Sequence, residues 1–129
     1  LCFTDIFRAG ACRYAVSDLQ AMASDTHRFE ARYLDGLVGP WPEAEQLYNE
    51  RSPLQHADRI RCPVIFFQGL KDQVVPPEQT ERMASALRSN GVPVEVRTFP
   101  EEGHGFRDSA VQVAVLEATE AFFRHHLGL

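Results

Sequence analysis

The stretch Cys62–Pro77, CPVIFFQGLKDQVVPP, is where the fold is decided. Four apolar residues in a row (Val64, Ile65, Phe66, Phe67) follow Pro63, and the chain then turns at Gly69, reaches Asp72 and passes through Pro76-Pro77 into a helical pattern. An unbroken apolar run between turn signals, followed by a helix, reads as a strand buried on both faces of a parallel sheet. Functional groups in such sheets gather just beyond the carboxyl ends of the strands. Asp72 occupies that position. Its expected partner is His104, in the turn Glu102-Gly103-His104-Gly105-Phe106 that follows the next strand-like run.

Working downstream, Pro77 suits the first position of a helix that turns Met83, Ala84 and Leu87 inward and stops at Gly91. Val92–Phe99 alternates apolar and polar residues, the pattern of a less buried strand near a sheet edge. After the His104 loop, a helix is expected over Ser109–Leu127. Its buried stripe is Val111, Val115, Ala118 and Phe122, with Leu116, Phe123 and Leu127 beside it. His125 and His126 fall in the last turn, where the helix dipole favours a cation, and read as structural.

Working upstream, Leu1–Phe7 reads as a helix end or connector and Ala9–Val16 as a short strand of small and apolar residues. Ser17 and Gln20 have the spacing of a capping box. The helix they would open carries Leu19, Met22, Ala23, Thr26, Phe29 and Tyr33 on a core-facing stripe. Gly36–Pro42 contains two glycines and two prolines and should break it. Glu43–Glu50 is expected to form a short helix, and a second begins at Ser52-Pro53 and runs to about Asp58. Trp41 reads as an anchor packing its loop on the body, the alternative being a lid or pocket aromatic.

Composition sets the bounds. The 129 residues fit one domain, and 44% apolar with 24% charged residues is ordinary for a globular chain. A net charge of −5 with scattered cations argues against a nucleic-acid partner. No apolar run approaches the about 20 residues that cross a bilayer, so no membrane partner is expected. Cys2, Cys12 and Cys62 lack paired spacing and read as reduced, buried thiols rather than a disulfide framework or metal site, with a cytoplasmic setting expected.

A carboxylate and an imidazole on neighbouring strand-end loops are the parts of a general base. The acid fixes the tautomer and stabilises the imidazolium that forms. Gly103 and Gly105 would permit tight turns around His104 and leave room for a substrate. The bland alternative is that Asp72 caps a helix and His104 fills a loop. The nucleophile is missing. None of the six serines (17, 24, 52, 85, 89 and 109) lies in a G-x-S-x-G elbow, and the cysteines are no better placed. In an α/β-hydrolase the order is nucleophile, acid, histidine, so the nucleophile is expected upstream of Leu1. The chain opens without methionine and offers few strands for a parallel sheet, and we expect it to be part of a larger domain.

Several segments resemble the C-terminal half of the catalytic domain of the prolyl oligopeptidase family. They are Ser52-Pro53-Leu54, Cys62-Pro63-Val64-Ile65, Gly69 to Gln79 (GLKDQVVPPEQ), Ala86 to Val94 (ALRSNGVPV) and Glu102 to Arg107 (EGHGFR). Thr26 to Leu34 (THRFEARYL) is similar to acylaminoacyl-peptidase and dipeptidyl-peptidase-like members. The resemblance spans essentially the whole chain. It implies the C-terminal portion of an α/β-hydrolase fold, a mostly parallel sheet with about three strands here and flanking helices. It also implies Asp72 as triad acid, His104 as triad base, a short-peptide substrate, and no cofactor or metal. The serine, and an N-terminal β-propeller, would lie outside this chain. The expected partners are therefore the upstream half of the same domain and, for the chain alone, further copies of itself. The alternatives are another α/β-hydrolase such as an esterase or lipase, a flavodoxin-like binding module, and a non-catalytic fragment.

Overall fold

The computed structural model describes residues 1–24 and 33–129. Three parallel strands, β1 (Gly10–Arg13), β2 (Val64–Gly69) and β3 (Val94–Phe99), form one sheet in the order β1-β2-β3. All six residues of β2 are buried, as its unbroken apolar run requires. The side-chain alternation of a strand explains why. Val64 and Phe66 point to one face, against Met83, Ala84 and Leu87 of helix α4 (Pro77–Ser89) and against Ala57 and Ile60. Ile65 and Phe67 point to the other, against Val115 and Phe122 of helix α5 (Ser109–Leu127). A strand clamped between two helical layers is apolar wherever its side chains lack a polar partner. Its one polar residue, Gln68, is paired, donating to Val75 O and accepting from the Thr80 hydroxyl.

β3 has one described neighbour. Its Val94 and Val96 pack on the α4 side, while Glu95 and Arg97 are exposed and ion-paired to each other at 3.3 Å. The strand starts at Val94 rather than Val92, and the Pro93 carbonyl accepts a hydrogen bond from Val64 N. β1 is shorter than the expected Ala9–Val16. It ends at Arg13, because Tyr14 takes a positive φ of 41° that bends the chain out of extended geometry.

The helices differ from the expectation in instructive ways. Ser17 does not cap the first one. It is 1% exposed, and its hydroxyl donates to the Gln79 carbonyl at 2.6 Å. The capping side chain of α1 (Leu19–Ser24) is Asp18, whose Oδ1 accepts from Ala21 N at 3.0 Å. Within the stripe expected there, Ala23 is buried, Thr26 and Phe29 lie outside the described residues, and Tyr33 is 60% exposed. Tyr33–Leu37 forms a short α2 that contains Gly36, so the helix break falls at Val38 and Gly39 instead.

α3 (Glu45–Arg51) and two 3-10 turns meeting at a kink at His56 (Pro53–Arg59) complete the connection. Trp41 anchors its loop. Its ring meets Tyr48 edge-on at 5.2 Å, and Tyr48 is fully buried with its hydroxyl donating to Gly39 O. α5 is capped by Asp108 and ends at Gly128 in the left-handed conformation. Leu116 and Leu127 lie off its buried stripe and are exposed, because at 3.6 residues per turn the position after Val115 rotates away from the sheet.

Cys2, Cys12 and Cys62 are free and half-buried, and burial pushes the Cys2 and Cys12 thiols up. Among the described residues no helix is long and apolar enough to cross a membrane.

Candidate active site at the carboxyl end of the sheet

Both candidate residues emerge at the same end of the sheet, one beyond β2 and one beyond β3. After Gly69 the chain folds into a tight turn in which Asp72 N donates to Gly69 O. The Asp72 side chain is fully buried. Its Oδ1 accepts from Val74 N at 2.9 Å and Val75 N at 2.8 Å, which fixes the carboxylate plane. The second oxygen, Oδ2, faces His104 Nδ1 at 3.0 Å. With the carboxylate accepting at both oxygens, Nδ1 carries the proton of this contact. The other ring nitrogen, Nε2, is then the acceptor, and the imidazole side chain is 39% exposed. This is the arrangement a general base needs: one nitrogen held, the other free to take a proton.

The two loops are bound to each other as well. Leu70 N donates to Phe99 O at 3.0 Å, and Lys71 N donates to Glu102 O at 2.9 Å, continuing the β2–β3 pairing past the strand ends. Lys71 and Glu101 form an ion pair across the same junction. The close approach depends on Gly69. A Cβ there would lie 2.4 Å from the Glu102 carbonyl oxygen and 2.7 Å from the Gly103 oxygen.

Glu102, 7% exposed, ties down the far side of the His104 loop. Its carboxylate accepts from Arg107 N at 2.8 Å and Asp108 N at 3.1 Å. The two glycines flanking His104 are not equivalent, contrary to the sequence expectation. Gly105 has φ +86°, a conformation side chains resist, whereas a Cβ at Gly103 would meet Lys71 O at an ordinary 3.6 Å.

Three residues of this site have no clear signal in the sequence. Gly69 marks a turn, but only the packed loops show that backbone presses on it. Glu102 resembles any surface acid beside a glycine. Tyr14, whose ring lies 4.7 Å from the imidazole, comes from the turn that ends β1, 90 residues earlier in the chain. No group of three or more metal-ligating side chains exists among the described residues.

The sequence profile of the prolyl oligopeptidase family matches residues 2–129. The chain belongs to the prolyl oligopeptidase family. Dipeptidyl aminopeptidase BIII of Pseudoxanthomonas mexicana is 31% identical over 134 residues, a match covering 99% of this chain and 19% of that protein. A solved puromycin-hydrolyzing peptidase of Mycobacterium tuberculosis shares 50% identity at a TM-score of 0.94, over 99% of this chain and 20% of its own. A solved puromycin hydrolase shares 42% identity at a TM-score of 0.93, again over 99% and 20%. The chain thus spans about a fifth of the length of these family members. The fold is that of the family's α/β-hydrolase peptidases, and the chain is serine-peptidase-like.

Proposed function

We propose that this chain supplies the acid and the base of a Ser-His-Asp triad in a serine peptidase acting on short peptides. Asp72 is the acid and His104 the base, and the serine is carried by polypeptide outside these 129 residues. The observation that carries the reading is the Nδ1–Oδ2 contact of 3.0 Å between a fully buried carboxylate and a partly exposed imidazole. Four of the chain's six serines are otherwise engaged. The hydroxyls of Ser17, Ser24, Ser52 and Ser89 all donate to backbone carbonyls of other residues.

In the reaction, the serine oxygen attacks the substrate carbonyl while His104 Nε2 takes its proton, and Asp72 Oδ2 stabilises the imidazolium. The imidazolium then gives that proton to the leaving amine as the peptide C–N bond breaks, forming an acyl-enzyme. A water molecule, deprotonated by the same nitrogen, releases the acid and restores the serine.

The test is labelling of the complete protein with a fluorophosphonate, mapping of the modified residue, and assay of aminoacyl and dipeptidyl amides. Puromycin joins the substrates because two solved relatives are named for hydrolysing it. The expected result is one labelled serine outside residues 1–129 and amide hydrolysis that disappears in step with labelling. Hydrolysis that persists after stoichiometric labelling, or a label on any of the chain's own serines, overturns the reading.

A further inference from the structure

We propose that Tyr14 is a positioning residue for His104, its ring packing against the imidazole that Asp72 holds by the edge. The proposal rests on the triad reading above. Among the described residues, the polar contact of His104 is the single hydrogen bond to Asp72. One bond at Nδ1 sets where that nitrogen lies but leaves the ring free to swing about it, and Nε2 moves furthest. A second contact with the imidazole ring limits that freedom. The Tyr14 ring provides one, with its centroid 4.7 Å from the imidazole and the planes inclined at 51°.

The tyrosine is itself braced. Phe106 meets it edge-on at 5.4 Å, and Phe99 meets Phe106 at 5.2 Å, so a chain of three aromatic rings runs from β3 to the histidine. When the imidazole takes the serine proton, the aromatic ring beside it also favours the cation.

The backbone gives independent support. Tyr14 has φ 41°, a left-handed conformation unfavourable for a bulky side chain and held only where surroundings over-determine it. Here they do. Tyr14 N donates to Phe67 O at 2.8 Å, fixing it to the end of β2. Three and four residues on, Ser17 N and Asp18 N both donate to the buried Gln79 Oε1, at 2.9 and 2.8 Å. Gln79 Nε2 donates back to Asp18 O at 3.0 Å, and Asp18 pairs with Arg82 at 2.6 Å. A strained residue clamped at both ends, its ring against the histidine, is how strain is used to place a side chain.

The test uses the complete enzyme with three substitutions. Tyr14→Phe keeps the ring, Tyr14→Gly suits the left-handed backbone and removes the ring, and Tyr14→Leu keeps bulk without aromaticity. Tyr14→Phe should keep kcat within about twofold, while Tyr14→Gly and Tyr14→Leu should lose about 10- to 100-fold in kcat with little change in KM. The low-field proton resonance of the Nδ1–H between His104 and Asp72 should persist in the Phe variant and broaden in the other two, a readout that lost packing alone would leave in place. A folded Gly or Leu variant with wild-type kcat and an intact low-field resonance overturns the proposal. So does a Phe variant as impaired as the other two. If His104→Ala also retains turnover, the triad reading falls with it; if His104→Ala is inactive, the inference about Tyr14 falls alone.

Discussion

Replacing Gly69 by alanine should damage the site without touching either candidate catalytic residue. The added Cβ would lie 2.4 Å from Glu102 O, 2.7 Å from Glu102 C and 2.7 Å from Gly103 O, all of them backbone atoms with no side-chain torsion to yield. The nearest contact must open to about 3.0 Å, a movement of about 0.6 Å. The residues that move are the two immediately before His104. The Lys71 N–Glu102 O hydrogen bond, 2.9 Å long, spans the same junction and lengthens with them. Overpacking of this kind typically costs about 1–3 kcal/mol of stability. A displacement approaching 1 Å of a positioned catalytic group can cost about 10²-fold, so a loss of about 10- to 100-fold in kcat is expected. Gly103→Ala is the matched control, since its Cβ meets Lys71 O at 3.6 Å and should leave activity nearly unchanged. The assay is steady-state hydrolysis of a short peptide amide by the complete protein, with thermal denaturation alongside. Equal activity and melting for Gly69→Ala and wild type would refute the view that backbone contact at Gly69 sets the His104 loop.

Asp72→Asn should lower kcat by up to about 10⁴-fold with folding retained. The amide oxygen can still accept from Val74 N and Val75 N, which leaves the amide NH₂ facing His104 Nδ1 and forces the proton onto Nε2. A kcat within tenfold of wild type would show that another acid serves. Glu102→Leu removes the acceptor for Arg107 N and Asp108 N while keeping bulk, and each hydrogen bond to a charged group contributes about 1.5–3 kcal/mol. It should therefore lower the melting temperature, and an unchanged melt would remove Glu102 from the account. The 129-residue chain alone should not react with a serine-directed phosphonate, and it should self-associate. Phe3 is 70%, Ile6 78% and Leu116 60% exposed, and β1 has one described neighbour in the sheet. Stoichiometric labelling, or a concentration-independent monomer by sedimentation, would contradict these two expectations.

What the sequence revealed was local. β2 was legible because burial on both faces leaves no polar position in Val64–Phe67, and Asp72 and His104 because each follows a strand by a few residues. Their distance in space follows from the parallel pairing of β2 with β3 in register. What stayed hidden was long-range. Ser17 and Gln20 have capping-box spacing, yet Ser17 is claimed by Gln79, 62 residues away, and the cap passes to Asp18. Leu116 looks like core until the rotation of α5 against the sheet is known. The left-handed turn at Tyr14 had no glycine or asparagine to announce it. A tertiary contact that overrides a local preference leaves no periodic trace in the chain.

The most direct test of the account is the kcat/KM of His104→Ala in the complete protein on a short peptide amide, measured beside wild type with folding verified by circular dichroism. If Nε2 of this imidazole moves the serine proton, kcat/KM falls by at least about 10⁴-fold while the melting temperature stays near wild type. A folded variant that keeps kcat/KM within about tenfold of wild type would show that the Asp72–His104 pair is not the acid and base of the reaction.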